Sequence, residues 1–457
     1  MKPNNKHLKP LTDSGNAERL IEHFGSDFRF SKTKGDLTYT GTHWMPDEKD
    51  SIFHQTLLVA RSIQKEEGWD CELEEAVRKH ARRSESLRAR QAMLKLARSE
   101  PRVAIETAEL DNNPWLFNVL NGTIELNNGV LRNHRRTDLI TKISPVSYEQ
   151  APCPRFDEFL ERVQPDPDMR AFLKRLAGYA MTGVIKEHVL PINYGNGRNG
   201  KSVFVDTILH VLGGYAKQVP TELLIVKHFD AHPTERATLH GCRFAAASET
   251  DQARKLNVAL VKQLTGGDRI SARFMRRDFF DFAPTHKLML STNNKPEIEE
   301  NTDAIWERVL LIPWNVTIPE RERDLDLKAK LQEEAPGILH WMVEGCLEWQ
   351  KQGLNPPVSV VAATQAYRKE QNNVTRFIDE LCEREFAART STVELYAAYQ
   401  RWCALEGATP VRQASFVNSL QSIGINKMKS NGLMIYRGIR PLQNLLRDKK
   451  PEFSRAA

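Results

Sequence analysis

No C-x-x-C pair occurs among the six cysteines, Cys71, Cys153, Cys242, Cys346, Cys382 and Cys403. Their scatter argues against a structural zinc site and is expected of reduced thiols inside a cell. Long hydrophobic runs are missing too. None approaches the roughly 18 residues of a membrane span, and the polar, charged N-terminus does not read as a secretory signal. A cytoplasmic protein with no membrane partner is therefore expected. Internal repeats and low-complexity tracts are also absent, which sets aside solenoids and disordered arrays. Neither sign of charge dominates: 65 Lys and Arg against 59 Asp and Glu leave a net +6. That balance fits a polyanionic partner without requiring one. What remains is a chain of 457 residues, 40% of them hydrophobic, long enough for about two to four globular domains.

The most specific stretch is Gly195-Asn196-Gly197-Arg198-Asn199-Gly200-Lys201-Ser202. It meets the pattern G-x-x-x-x-G-K-[ST] at every fixed position, after the apolar run Val189–Tyr194 and before Val203, Phe204, Ile208, Leu209 and Leu212 at helical spacing. Strand, loop and helix are the context this motif needs. Glycines let successive backbone N–H groups turn inward around phosphates, and the helix N-terminus adds partial positive charge. Lys201 can reach the terminal phosphates of a nucleotide, and the Ser202 hydroxyl can ligate Mg²⁺.

Around this loop the texture changes along the chain. Residues 1–110 read as mainly helical, with apolar spacing over Ile52–Gln64 and Leu73–Ala97 and a short hairpin expected within Phe28–Trp44. The basic face of the second segment (Arg78, Lys79, Arg82, Arg83, Arg88, Arg90) reads more simply as a solvated helix face than as a nucleic-acid contact. Residues 111–165 form a small β-containing unit, marked by alternation around Asn121-Gly122 and Asn127-Asn128-Gly129. Helices are expected at Asp157–Arg162 and Asp168–Thr182. From 166 to 355 short apolar runs at Val189–Tyr194, Arg243–Ala247, Lys287–Leu290 and Val309–Ile312 alternate with helical patterns, as in a parallel sheet covered on both faces. Helices return over Arg323–Lys351, and Pro356-Pro357 marks a connector. Residues 370–457 read as helices at Val374–Glu385, Thr392–Glu406 and Gln413–Ile423, followed by a strand or hairpin at Met428–Gly438.

Three further signals lie downstream of the loop. Phe244-Ala245-Ala246-Ala247-Ser248-Glu249 is an apolar run ending in a carboxylate that can hold the metal's water shell or polarise a nucleophile. Asp251 is a weaker candidate for that work, and an ordinary surface carboxylate is the plainer alternative. Beyond Lys262, the stretch Arg273, Phe274, Arg276, Arg277, Phe279, Phe280 interleaves cations with aromatics. That composition suits a hairpin binding single strands by charge and stacking, or a plain hairpin with its phenylalanines packed inward. Asn293 ends the run Lys287–Thr292, where an amide can orient a water. Arg308 precedes Val309–Ile312 and can act either as a finger on a neighbouring subunit's nucleotide or in a structural ion pair.

Taken in order, GNGRNGKS, FAAASET, LTGGD-x-I-x-AR, STNNKP and IWERVLLIPW resemble the superfamily 3 helicases. The likeness is to the helicase part of phage and plasmid primase–helicases, which are related to the poxvirus primase–helicase. Trp115–Gly122 with Leu139–Lys142 resembles the domain preceding the motor in that family, and Glu394–Cys403 resembles its terminal module. The similarity runs over about residues 12–440 and is densest between 189 and 315. It implies an α/β P-loop NTPase core of AAA+ type, with a mainly helical N-terminal region and a winged-helix-like C-terminal module. It further implies a hexameric ring that hydrolyses ATP with Mg²⁺ between subunits and draws one DNA strand through its centre. On that resemblance Lys201 and Ser202 take phosphate and metal, Glu249 is the Walker B acid, Asn293 the sensor and Arg308 the trans finger. Lys262, Arg273, Arg276 and Arg277 become DNA contacts. The acidic run ends Ser248-Glu249 rather than in a double acid, which leaves open the group that meets the metal. With only 110 residues ahead of the β unit, the chain reads as a helicase without its own primase, served in a bacterial host by a separate primase or initiator. A DNA-bound ATPase switch without processive unwinding, or a P-loop small-molecule kinase, are the rival readings.

Overall fold

The computed structural model describes residues 8–67, 69, 73–226, 233–249, 255–275, 278–298, 302–408, 410–430 and 433–442. Its centre is a five-stranded parallel sheet made of β1 (Leu190–Tyr194), β2 (Ala216–Gln218), β3 (Phe244–Glu249), β4 (Lys287–Thr292) and β5 (Val309–Pro313), in the order β5-β1-β4-β3-β2. Strands buried on both faces need apolar residues at odd and even positions alike. Here Leu288 and Leu290 join Leu190, Ile192, Ala245, Ala247, Val309 and Leu311 on one side. Met289 joins Phe244, Ala246 and Ile312 on the other, where the helix Lys201–Leu212 packs through Phe204, Val205 and Ile208.

The N-terminal region is helical around a small sheet. Helices Asp13–Phe24, Ser51–Ser62, Glu74–Ser84 and Leu87–Ala97 accompany an antiparallel meander of Phe28–Ser31, Gly35–Tyr39 and Trp44–Pro46. The expectation of continuous helical periodicity over Leu73–Ala97 is corrected here. The chain breaks at Glu85, and Ser86 starts a new helix by accepting from the Ala89 N–H (3.3 Å). A serine hydroxyl competes well for such orphan N–H groups, so it favours a cap over a helix interior. The β unit that follows is a three-stranded antiparallel sheet, Leu116–Val119, Gly122–Glu125 and Val130–Arg132.

Helices Pro167–Met181 and Ala335–Gln352 pack against each other and under the sheet, each with a proline in its first turn, where the missing N–H costs nothing. Their crossing is close because of two glycines. A Cβ on Gly178 would stand 2.0 Å from the Cys346 N, and one on Gly345 would stand 2.1 Å from the Lys174 O.

After Pro356-Pro357 a helix, Val358–Gln371, lies along β5, with Thr364 Oγ1 accepting from the Leu311 N–H at 2.9 Å. The C-terminal unit has its own core of Phe377, Tyr399, Trp402 and Phe416. It is made of helices Asn373–Leu381, Thr392–Glu406 and Gln413–Ser422 and an antiparallel sheet ordered Arg389–Ser391, Leu433–Arg437, Lys427–Ser430. Among the described residues no helix is long and apolar enough to cross a membrane.

The glycine crossing yields a test with opposed signs. On a free helix face Gly→Ala stabilises by about 1 kcal/mol, whereas overpacking a tight contact costs about 1–3 kcal/mol. Gly178→Ala should therefore lower the thermal midpoint in a calorimetric scan, and a raised midpoint would mean that the helices are not in backbone contact.

Candidate functional site

The loop 195–200 leaves β1 at its C-terminal end and turns into the helix Lys201–Leu212. Gly197, Arg198 and Gly200 take φ of +86°, +54° and +85°, the left-handed region that lets consecutive N–H groups converge. Gly195 is required for a different reason. A Cβ there would lie 2.3 Å from the Trp314 O and 2.4 Å from the Asn199 Nδ2. Asn196, Arg198 and Ser202 are exposed on the rim, while Asn199 and Lys201 are buried.

Lys201 holds the centre. Its ammonium donates to Gly195 O (2.6 Å), Asn199 Oδ1 (3.1 Å) and Asn293 Oδ1 (3.2 Å). All three acceptors are neutral, and burial draws the amine's pKa below its ordinary value. Among the described residues this buried ammonium is satisfied by amide oxygens alone, which leaves its positive charge uncompensated by them. The loop is fixed from outside by a buried polar chain. Asn199 Nδ2 donates to Trp314 O (2.9 Å), Trp314 Nε1 donates to Asn193 Oδ1 (3.0 Å), and Asn193 Nδ2 approaches Ser291 Oγ (3.4 Å). Trp314 and Asn193 were not singled out as site residues from the sequence. An asparagine inside an otherwise apolar strand was the available signal, since a buried amide needs partners.

Strand register brings the other candidates to the loop. Thr292 pairs with Tyr194 on one side and with Glu249 on the other, so β1, β4 and β3 end level. Asn293 is the next residue after β4 and reaches Lys201 directly. Glu249 closes β3 at that same level, although its side chain, like Asp251, lies outside the described residues. Arg308 is elsewhere. It stands before the first residue of β5, its carbonyl accepting from the Leu190 N–H at 2.7 Å, so about 17 Å of strand separates it from the loop. Its guanidinium donates to Ala304 O (2.6 Å), and the buried Nε has no partner among the described residues.

The basic, aromatic segment forms a hairpin between Ile270–Ala272 and Phe280–Phe282. Phe274 stacks on Phe280 with centroids 5.3 Å apart, and the Arg273 guanidinium lies 5.0 Å from the Phe279 ring centre. Phe274, Met275 and Phe279 are all exposed. The plain alternative, with these phenylalanines packed inward, holds for Phe282 but not for the tip. Arg276 and Arg277 lie outside the described residues. Lys262 sits on the separate helix Val258–Thr265.

Comparison with known proteins gives matches along most of the chain. The D5 N terminal-like family matches residues 17–165, a family of unknown function (DUF5906) matches 193–308, and the poxvirus D5 protein-like family matches 369–435. A protein of Acanthamoeba polyphaga mimivirus named "putative helicase" is 26% identical over 319 residues, covering 64% of this chain and 33% of its own length. A "putative helicase" of Frog virus 3 is 25% identical, covering 55% and 28%. A "putative primase" of African swine fever virus is 24% identical, covering 64% and 34%. The chain thus spans about a third of the length of these relatives. Among solved structures, the apo C-terminal region of NrS-1 (305–718) shares the fold at a TM-score of 0.51 and 10% identity, covering 93% of this chain and 99% of that one. The chain is thus similar to the D5 N terminal-like family near its start and to the poxvirus D5 protein-like family near its end, and to viral proteins named putative helicases and putative primases.

Proposed function

We propose that this chain is an ATP-dependent DNA helicase of a replicating mobile element, acting as a ring with its nucleotide sites between subunits. The observation that carries the reading is the Lys201 ammonium, buried among neutral oxygens where three parallel strands end level. An uncompensated cation beside a left-handed loop fits a polyphosphate. The backbone of 195–202 and Lys201 would hold the phosphates of ATP, and Ser202 with Glu249 would hold Mg²⁺. The metal ion supplies charge neutralisation on the transferring phosphoryl group. Lys201 would exchange its amide acceptors for phosphate oxygens, which releases the Asn293 amide to orient the attacking water. Arg308, at the far end of the sheet from the loop, would serve a neighbour's site rather than its own.

On this reading the exposed Phe274, Met275 and Phe279 and the cations Arg273, Arg276 and Arg277 engage single-stranded DNA, backed by Lys262. The C-terminal unit is then a winged-helix-like module. The ATPase domain runs past 355 to include the Val358–Gln371 helix packed on β5.

ATP hydrolysis by the chain should rise with single-stranded DNA, and Lys201→Ala should abolish it in a phosphate-release assay. Full hydrolysis by that variant would remove the loop from the mechanism. Arg308→Ala should lower the rate steeply, since arginine fingers contribute roughly 10³–10⁵ elsewhere. Mixing it with Lys201→Ala subunits should restore part of the activity, because some interfaces then carry both intact halves. No recovery at any mixing ratio would exclude a shared site. Unwinding of forked DNA with 5′ or 3′ tails separates a motor from a DNA-bound switch.

A further inference from the structure

A second cationic site lies away from the nucleotide loop, at the seam between the N-terminal meander, the segment 139–143 and the outer edge of the parallel sheet. Lys34 is in the turn between the first two strands of the meander, Lys142 in the segment leading to the motor, Lys217 on the edge strand β2, and His240 in the turn before β3. These four positions are remote in sequence, and the fold brings them together.

The stem of Lys142 runs along glycines. A Cβ on Gly214 would lie 3.7 Å from its Cβ, and a Cβ on Gly241 (φ +66°) would lie 3.3 Å from its Cε and 3.6 Å from its Nζ. These contacts seat the side chain against the Gly241 turn, next to His240. Among the described residues this ammonium has no hydrogen-bond or ion-pair partner. Burial lowers its pKa, Asp111 opposes that shift, and Lys217 and Lys34 add to it. Burial, followed by the charges of Lys34 and Lys142, pushes His240 down to about 4. The opposing carboxylate, Asp111, is already committed to the Thr141 N–H (2.7 Å) and hydroxyl. Lys217 is exposed and donates only to Thr238 O (3.1 Å). Three ammonium groups and an imidazole thus converge on one engaged carboxylate. Asp111 sets one carboxylate against these cations, and a multiply charged anion would offset the remaining repulsion of Lys34 and Lys217 on Lys142.

The cluster also adjoins the hairpin. The His240 ring meets Phe280 and Phe282 edge-on, each at 5.3 Å, and Phe280 carries the stacked Phe274. From tip to base the surface therefore offers Arg273 and Phe279, then Phe274 and Phe280, then His240 and the lysines. Stacking groups followed by spaced cations match a nucleotide chain, whose bases and phosphates alternate.

We infer that Lys34, Lys142, Lys217 and His240 form a binding site for phosphate esters that takes the backbone of the DNA strand as it leaves the hairpin. This rests on the reading of the chain as a DNA translocase and adds a second contact, outside the hairpin, where the N-terminal region and the motor hold the strand jointly.

The test is titration of the full chain with fluorescent oligo-dT across a salt series without nucleotide, in parallel with calorimetric titration of inorganic tripolyphosphate. Lys34→Ala and Lys217→Ala alter exposed side chains, Lys142→Met keeps the buried stem, and Lys217→Arg keeps the charge. Each lost phosphate contact should flatten the slope of log affinity against log salt by about 0.7, so the combined Lys34, Lys142 and Lys217 variant should lose about two units, with Lys217→Arg near the parent. Thermal midpoints identify any variant that fails to fold, and the exposed single substitutions then decide the matter. An unchanged slope in folded variants overturns this site while leaving the helicase reading intact. Loss of tripolyphosphate binding with an unchanged DNA slope overturns the assignment to DNA. A parent chain that does not bind oligo-dT overturns both.

Discussion

The register of β1, β4 and β3 is the constraint on which the candidate site depends. In a parallel pair a one-residue slip turns every side chain to the other face, and here each strand has apolar residues committed to both cores. The pairing that buries Leu288 and Leu290 on one side and Met289 on the other is the pairing that sets Thr292 level with Tyr194 and Glu249. Packing energy thus fixes the distance between a glycine loop and an asparagine about a hundred residues apart. Lys201 closes the arrangement by bonding to both.

The parts legible in the sequence were those written in local pattern. The loop obeyed its spacing rule, and four of the five sheet strands were apolar runs between turn signals. The edge strand β2 was not legible. It has three residues, Ala-Lys-Gln, of which Lys217 and Gln218 face solvent, so it carries no apolar run and exists because β3 offers it an open edge. The break at Glu85–Ser86 was hidden for a related reason: helical spacing of apolar residues continues on both sides of it, and only the capping serine interrupts. The Val358–Gln371 helix was missed because most of it is partly exposed, with Val360 and Tyr367 as its buried anchors. The polar chain from Asn199 through Trp314 to Asn193 could not be read at all before the strands were ordered, since Trp314 lies more than a hundred residues from the two asparagines it joins.

That helix also ties the site to the C-terminal unit. The segment after Asn293 is bound to it by the Lys295–Glu370 ion pair (2.6 Å), by the Tyr367 hydroxyl donating to Pro296 O, and by Gln371 Oε1 accepting from the Ile298 N–H (2.9 Å). The helix ends at Asn372, whose side chain caps the next helix, Asn373–Leu381, with no intervening linker. A shift of Asn293 on phosphate binding would therefore be passed to a rigid element and then to the C-terminal module, instead of being absorbed in a loop. The Lys295–Glu370 bond is partly exposed and contributes little by itself. The buried Tyr367 hydroxyl and the Gln371 side chain hold the segment to the helix more firmly.

The two ends of the sheet have different electrostatic tasks. Among the described residues, Lys201 at the C-terminal ends of the strands bonds only to neutral oxygens, and Arg308 at the N-terminal end of β5 keeps a buried Nε without a partner. A buried unpaired guanidinium N–H is costly, and such a cost is retained where another molecule relieves it. No motion within one subunit brings Arg308 to Lys201, because β5 and β1 are bonded in parallel along their whole length. If both cations serve one phosphate chain, as proposed above, the parallel pairing of β5 with β1 requires that they come from two copies of the protein.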